Sequence, residues 1–245
     1  MDNKEFQFKE IDTEGIDTLS VLANADNLNT WFYSTIKPYC KGRILEIGSG
    51  IGNISQHFIN NNYDITLSDL RDNYLEALSN RFPKFNPRKF YSLDLVDPHF
   101  DEKYKDKFDS FDTIFALNVV EHIKDDQQAI LNCYKLLKKG GTLIILVPAY
   151  QSLYNQFDSE LEHYKRYNQK GLSKLFSQAT FSIIHKQYFN AAGILGWFVS
   201  GRLLKNKLLP EGQVSFYNKL VPLFKITDKI LFNKVGLSVI TVGVK

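Results

Sequence analysis

The chain has 245 residues, and 44% of them are hydrophobic, enough for the core of one large domain or of one domain with a small appendage. Its 30 basic and 27 acidic residues leave a net charge of +3, a balance that gives no argument for nucleic acid as a partner. Cys40 and Cys133 stand far apart, without CxxC or metal-ligand spacing, so we expect reduced thiols and no metal bound by cysteine.

The first 40 residues predict a helical cap. Residues 15–39 place apolar side chains at helical spacing and are typical of two helices, and Pro38 and Gly42 mark the end of this region. Residues 1–10 are charged and lack the apolar stretch of a signal peptide, so we expect a cytoplasmic protein.

Residues 41–148 alternate short apolar strands with helical patterns. Strands are predicted at 43–47, 63–68, 88–93, 112–117 and 141–147, and helices at 51–61, 71–81 and 124–138. This alternation favours a parallel sheet with helices on both faces. Lys138 to Gly141 predict the stop of the last of these helices, with cations on its final carbonyls.

The first strand ends in a glycine-rich turn. Gly48, Gly50 and Gly52 alternate there, and bare backbone at a strand-to-helix turn lets a ligand approach closely. Glu46 is the only charge among the apolar residues 44–48, and a buried carboxylate needs a partner, which favours a cationic ligand over a pyrophosphate. The dinucleotide pattern G-x-G-x-x-G also fails, because Asn53 stands where its last glycine belongs. A purely structural turn is the alternative.

The next two strands each end at a carboxylate. Asp69 can accept hydrogen bonds from both hydroxyls of a ribose, or it caps the helix that follows. Asp94 can accept from the exocyclic amine of adenine, with the Leu95 backbone completing that edge; a simple turn, or Asp97 in the same loop, is the alternative. Ligands of open parallel sheets bind at such strand ends.

The fourth strand leads into Asn118-Val-Val-Glu-His122, and residues 136–143 read Leu-Leu-Lys-Lys-Gly-Gly-Thr-Leu. With the E-x-G-x-G-x-G run and the two acidic strand ends, these motifs resemble, in order and spacing, those of the class I S-adenosylmethionine (SAM)-dependent methyltransferases. The likeness extends over residues 43–148.

The resemblance implies an α/β fold: a Rossmann-like, doubly wound sheet of seven strands, mostly parallel, with an antiparallel last strand. It further implies N-terminal helices and a helical insertion before the last strand. We expect a single domain, 1–245. Its parts are an N-terminal cap (1–40), a SAM-binding core (41–148), an acceptor-side region with a loop, helices and an insertion (149–233), and the final strand (234–245).

The resemblance also implies the cofactor S-adenosyl-L-methionine, with S-adenosyl-L-homocysteine as product. Glu46 and Gly48 are expected at its methionine end, Asp69 at the ribose, and Asp94 with Leu95 at the adenine. The backbone of Asn118 is expected near the sulfonium. The cofactor-binding set is completed by Ser49, Gly50, Leu70 and Val119.

Methyl transfer displaces a neutral leaving group, so the protein has to supply alignment and desolvation, and a base only where the acceptor is a hydroxyl. Two histidines are candidate catalytic residues. His122 follows the fourth strand, where a structural or pocket-shaping role is the alternative. No metal is expected at Glu121 and His122, because no further ligand stands at helical spacing.

The other candidate base, His163, lies in the aromatic loop at 149–167. The run from Asp158 to Tyr167 resembles a bacterial subgroup of these methyltransferases with an H-x-R-R-Y-like loop, from which Lys165 departs. A surface loop pinned by tyrosines is the alternative. Arg166 is expected to bind an anionic acceptor group or to serve as a strut. The substrate-binding residues predicted from this loop and from the insertion are Tyr154, Arg166, Tyr167 and Trp197.

Residues 191–233 form an apolar insertion with interspersed basic residues, suited to walling a hydrophobic pocket, to touching a membrane surface, or simply to packing in the core. We therefore expect an O-methyltransferase acting on a hydroxyl of an aromatic, polyketide-like or lipid-like small molecule. The expected partners are that acceptor and, peripherally, a membrane, with no nucleic acid; the chain is expected to be a monomer or a homodimer. The alternatives are a non-catalytic SAM-binding regulator or scaffold and, less in keeping with the glycine spacing, a dinucleotide oxidoreductase.

Overall fold

The computed structural model describes residue 6 and residues 12–203 and 211–245. Its centre is one sheet whose strands are, in chain order, β1 (Ile44–Ile47), β2 (Ile65–Asp69), β3 (Phe90–Ser92), β4 (Phe111–Leu117), β5 (Leu137–Pro148), β6 (Ser182–Phe189) and β7 (Ser238–Val244). They are arranged in the order β3-β2-β1-β4-β5-β7-β6. The first five strands pair in parallel, and β7 lies antiparallel between β5 and β6. The predicted fold class is confirmed, including the inserted antiparallel last strand.

Ten α-helices surround the sheet in the described residues. They are α1 (Thr13–Ala23), α2 (Asp26–Ile36), α3 (Ser55–Asn60), α4 (Asp72–Arg81), α5 (Phe100–Lys103), α6 (Asp126–Leu136), α7 (Gln156–Glu160), α8 (Gln169–Gln178), α9 (Ala192–Trp197) and α10 (Glu211–Ile230). A π-helical segment, Phe198–Leu203, continues α9. Within the described part of the chain, no helix is both long and apolar enough to cross a membrane.

Both faces of the sheet are buried, as in other doubly wound sheets. In β5, Leu143, Ile145 and Val147 belong to one hydrophobic cluster, and Ile144 and Leu146 belong to the cluster on the opposite face. The near-continuous apolar run of this strand is therefore explained by burial on two sides.

Strand order reverses between β1 and β4, so the connections from their carboxyl ends run to opposite faces and leave a crevice there. On one side of this crevice α2 packs against α10. The Leu28 amide donates to Asn218 Oδ1 at 3.0 Å, and Trp31 of α2 packs on Phe189 with ring centroids 4.4 Å apart. The N-terminal helices and the insertion thus form one wall over the sheet.

The predicted helix stop at Lys138 to Gly141 is wrong. Helix α6 ends at Leu136, and β5 begins directly at Leu137, which pairs with Phe111. Lys138 binds the Asp112 carboxylate at 2.9 Å instead of the last helical carbonyls. Gly140 does take a left-handed φ of +77°, but within the strand that here runs over 12 residues. Residues 204–210 of the predicted insertion lie outside the described residues.

Candidate active site

The glycine turn forms a cradle that side chains would fill. Gly48 and Gly50 have φ of +68° and +52°. A Cβ on Gly48 would stand 2.4 Å from Val119 Cγ2, and one on Gly50 would stand 2.7 Å from Leu19 Cδ1. The turn is fastened to β2, since the Ser49 amide donates to the Ser68 carbonyl at 2.9 Å. Only glycine gives both this backbone conformation and this space.

Glu46 lies beneath the turn and is only 4% exposed. Its Oε2 accepts a short hydrogen bond from the Ser55 hydroxyl. Burial raises the pKa of Glu46 to about 8, an effect that the bonds from Ser55 and Ser49 only partly offset. A cationic group at this position would favour the ionised carboxylate and so fits the site.

Asp69 holds the glycine turn in place. Its Oδ2 accepts from the Gly50 amide at 2.9 Å, and its Oδ1 accepts from the Arg71 amide at 3.3 Å. Helix α4 begins only at Asp72 and has Arg71 as N-cap, so the alternative of Asp69 as that helix's N-cap does not apply. Burial raises the pKa of Asp69, and the amide bonds counter that effect.

The two carboxylates of the loop after β3 lie in different surroundings. Asp94 lines the cavity, and its Oδ1 accepts from the Val96 amide at 2.8 Å. Asp97 instead binds Lys103 at 2.9 Å on the outer surface. The Leu95 carbonyl accepts from Asn132 Nδ2 at 2.9 Å, which anchors this loop to α6.

One cavity of about 1270 Å³ connects these groups with the helices above them. All the predicted cofactor residues line it: Glu46, Gly48, Ser49, Gly50, Asp69, Leu70, Asp94, Leu95, Asn118 and Val119. The glycine cradle, a carboxylate suited to a cation and carboxylates suited to hydroxyls and an amine therefore share one space. These residues fit SAM.

The loop after β5 is organised by a carboxylate. Asp158 is fully buried, and its Oδ1 lies 2.9 Å from His163 Nδ1 and 2.7 Å from Arg166 Nε. Burial alone would raise the pKa of Asp158, but the hydrogen bonds from His163 and Arg166 bring it below its usual value. Asn155 and Asp158 also form a capping box at the start of α7.

His122 and His163 meet at the cavity wall, with ring centroids 4.7 Å apart and an edge-to-face arrangement. His122 is open to the cavity, whereas His163 is 4% exposed. Desolvation of the ring within the cavity wall, with smaller electrostatic contributions from His163 and Arg71, lowers the pKa of His122 to about 3.

Glu121 stands beside both histidines. Its side chain is fully buried, and neither carboxylate oxygen has a hydrogen-bond partner among the described residues. Burial raises its pKa to about 8. One ligand atom each from Glu121, His122 and His163 lies within 4.8 Å of the others. The sequence analysis considered only ligands at helical spacing, whereas His163 reaches Glu121 and His122 from a distant loop. The Tyr164 amide holds this loop in place by donating to the Glu121 carbonyl at 2.8 Å.

Two of the predicted substrate residues lie outside the cavity lining. The Tyr167 hydroxyl donates to Asp126 Oδ2 at 2.8 Å behind the loop, and the Tyr154 hydroxyl donates to the His163 carbonyl at 2.7 Å. Both tyrosines fix the loop instead of facing an acceptor. Arg166 is a strut, because its guanidinium binds Asp158 and the Ala149 carbonyl and lies 4.6 Å over the Trp197 ring. Trp197 does line the cavity.

Part of this chain is similar in sequence to known proteins. Residues 45–143 match the family model described as "Methyltransferase domain". Among curated proteins, Probable polyketide synthase 40 of Dictyostelium discoideum is 32% identical over 127 residues, which cover 45% of this chain and 5% of that protein. The chain thus spans about one twentieth of the length of this relative.

Solved structures share the fold over nearly the whole chain. Phosphoethanolamine N-methyltransferase 2 of Haemonchus contortus, in complex with S-adenosyl-L-methionine, has a TM-score of 0.62 at 18% identity and covers 96% of this chain and 57% of its own. A SAM-dependent methyltransferase from Archaeoglobus fulgidus has a TM-score of 0.58 at 18% identity, with 89% and 94% covered.

The family match falls on the strands and loops that line the cofactor side of the cavity. Residues 45–143 thus resemble a methyltransferase domain, and because such domains use SAM the predicted cofactor is confirmed. The similarity to a bacterial subgroup through the loop at His163 stays a prediction.

Proposed function

We propose that this protein transfers a methyl group from SAM to a hydroxyl of an apolar small molecule of aromatic, polyketide-like or lipid-like character. The observation that carries this proposal is the single cavity that joins the glycine turn to apolar side chains of α9 and α10. Its far wall includes Trp197, Val214, Leu220 and Phe224. A charged or extended polymer would find few partners on such a wall, whereas an apolar acceptor is desolvated there. The name of the polyketide synthase relative supports the same acceptor class.

The cofactor side of the cavity assigns roles to the chain's own residues. Glu46 receives the cationic amino group, Asp69 the ribose hydroxyls, and Asp94 with the Leu95 backbone the adenine edge. When bound, SAM supplies a methyl group made electrophilic by its sulfonium. Asp69 also holds the Gly50 amide, so it shapes the turn and binds the ligand with the same carboxylate.

The acceptor side is joined to the cofactor side at His122 and His163. Asp158 fixes the His163 ring, and both imidazoles face the boundary between the polar and apolar parts of the cavity. We assign these two side chains to the acceptor hydroxyl, which they orient and prepare for attack. Exclusion of water by the apolar wall strengthens every polar contact made there.

An exposed apolar face on the insertion supports a peripheral contact with an anionic membrane. We define the α10 face as five side chains of α10 and the turn after it that are 53–79% exposed: Phe216, Leu223, Ile226, Ile230 and Phe232. Lys219, Lys229 and Lys234 are exposed around it. Because the α10 face is flanked by cations and Phe216 also lines the cavity, an anionic bilayer matches both its chemistry and its position.

Titration calorimetry with SAM and with NADH tests the cofactor assignment. Tight SAM binding is expected for the wild type, with a loss of about 10- to 100-fold in Asp69→Asn, as for charged hydrogen bonds worth about 1.5–3 kcal/mol. Asp72→Asn, at an exposed position of α4, is the matched control and should bind normally. Binding of NADH without SAM would contradict the proposal.

The acceptor is tested by release of S-adenosylhomocysteine with panels of hydroxylated aromatic, ketide and prenyl compounds. Product analysis by NMR distinguishes an O-methyl from a C-methyl group. SAM binding with no turnover on any panel would favour the non-catalytic alternative.

A further inference from the structure

We propose that Glu121, His122 and His163 bind a divalent metal ion of the zinc type at the wall of the cavity, with an open position that faces the acceptor. The three side chains come from a turn after β4 and from the loop after β5. One ligand atom from each lies within 4.8 Å of the others, and small side-chain rotations bring such atoms to bonding distance of one ion. Two imidazoles and one carboxylate are a donor set that Zn²⁺ and its first-row neighbours prefer.

Glu121 is the residue that points most directly to a bound cation. A fully buried carboxylate without a hydrogen bond is strongly unfavourable, and a protein retains one only where something compensates for it. The nearby Arg166 is directed at Asp158, with Nε 2.7 Å from Oδ1. Arg166 thus binds Asp158 directly, whereas no described side chain hydrogen-bonds to Glu121.

His163 is already oriented as a metal ligand. Its Nδ1 lies 2.9 Å from Asp158 Oδ1, so Nδ1 donates to the carboxylate and Nε2 keeps its lone pair for an ion. This carboxylate–histidine arrangement is the usual support around a metal site. Asp158 is itself held by the Asn155 amide at 2.9 Å and by Arg166, so the support is rigid.

Three protein ligands leave a position for an exchangeable ligand, as in catalytic and unlike structural zinc sites. His122 and His163 both line the cavity, so that position opens toward the acceptor. An acceptor hydroxyl bound there would give its proton to solvent more readily, because the ion stabilises the alkoxide. The alkoxide oxygen would then bond to the methyl carbon while the carbon–sulfur bond of SAM breaks and neutral S-adenosylhomocysteine leaves. This last step rests on the proposed methyltransferase function, whereas metal binding itself does not.

The test uses the full chain, stripped with a chelator and titrated with Zn²⁺ by calorimetry and with Co²⁺ by visible absorption. We expect one equivalent per chain and the d–d bands of a four- or five-coordinate cobalt site. Glu121→Gln and His163→Gln should each weaken Zn²⁺ binding by at least 100-fold. Asp158→Asn should weaken it by about 10- to 100-fold, as do other losses of a carboxylate that hydrogen-bonds a metal-ligating histidine. His99→Gln, an exposed histidine beside Glu102, is the control and should bind like the wild type.

Each variant is also titrated with SAM and unfolded in denaturant, so that a misfolded protein is recognised. Absence of a one-equivalent site in the wild type, or equal Zn²⁺ affinity in Glu121→Gln, His163→Gln and His99→Gln, would overturn the proposal. Full methyl-transfer rates in excess chelator would overturn the metal's role at the acceptor hydroxyl and leave the histidines as simple bases. Loss of SAM binding in Asp69→Asn with retained Zn²⁺ binding would show that the SAM site and the metal site bind their ligands independently.

Discussion

At the scale of single residues, the protonation of Glu46 links cofactor binding to pH. Its pKa is raised from 4.5 to about 8, mainly by burial, so in the empty site the carboxyl is largely protonated at pH 7. A cationic ligand binds the carboxylate and drives its proton off. SAM affinity should therefore rise with pH between about 5 and 8, by at most tenfold per pH unit, and level off above pH 8.

Calorimetry at pH 7 in buffers of different ionisation enthalpy measures this release directly, and we expect close to one proton per SAM bound. In Glu46→Gln the release and the pH dependence should both vanish, with weaker binding throughout. The raised pKa of Glu46 also makes the folding stability of the empty protein depend on pH. Between pH 4.5 and 8 the unfolded chain gives up this proton while the folded chain keeps it, so the empty protein loses stability as pH rises through this range. Proton release that persists in Glu46→Gln would assign it to another group.

At the scale of elements, alanine variants of two glycines distinguish the cost of backbone strain from the cost of a steric clash. Gly48→Ala meets both a positive φ and a Cβ contact at 2.4 Å with Val119, whereas Gly140→Ala meets a positive φ of +77° and nothing within 4 Å. Both should lose about 1 kcal/mol of unfolding free energy to the left-handed conformation. Gly48→Ala should lose about 1–3 kcal/mol more of unfolding free energy to overpacking. Its affinity for SAM should fall as well. Denaturant unfolding and SAM titration compare the pair; similar losses in both would mean that the turn at Gly48 yields to a side chain.

The α10 face makes a second prediction at this scale. The wild type should co-sediment with phosphatidylglycerol vesicles, less with phosphatidylcholine, and less again at high salt, since each lysine near an anionic surface contributes about 1 kcal/mol. The double variant Ile226→Asp, Ile230→Asp should bind at least tenfold more weakly, because it places charge where apolar side chains insert. Ile184→Asp, an equally exposed isoleucine on β6, should not change binding. Dimers in the wild type that dissociate in the double variant would instead assign the face to a second copy of the chain.

The cofactor side of the site could be predicted from the sequence because its residues directly follow strands. The glycine turn, Asp69 and Asp94 each follow a strand directly, and parallel strands bring their carboxyl ends to one edge. Chain order therefore sufficed to predict their grouping. The partners of Glu121 could not be found this way, because His163 and Asp158 arrive through a loop whose path is set by the Tyr164 amide and by capping at Asn155. Arg166 and Tyr167 likewise have residue types suited to a substrate, yet their actual partners lie on neighbouring elements.

At the scale of the whole molecule, the cavity is roofed by two regions from opposite ends of the chain, and Asn218 forms hydrogen bonds between them. Helix α2 has no side-chain cap of its own, because Ala25 is its N-cap residue. Asn218 of α10 supplies that cap from outside, accepting from the Leu28 amide at 3.0 Å. The docked insertion thus stabilises the start of α2, and we expect opening of the roof to be coupled to fraying of this helix.

Asn218→Ala should therefore cost about 1 kcal/mol in unfolding free energy, as other lost caps do, and should also speed amide exchange in both 26–36 and 211–230. Asn168→Ala removes an ordinary local cap, the bond from the Gly171 amide at 2.7 Å, and is the matched control. It should lose similar stability and speed exchange only at the start of α8. Hydrogen exchange followed by mass spectrometry resolves these peptides.

Because the glycine turn and Asp69 do not depend on Asn218, SAM affinity should be unchanged in Asn218→Ala while entry of bulky apolar compounds becomes faster. Exchange confined to α2, with α10 as protected as in the wild type, would mean that the two walls do not move together.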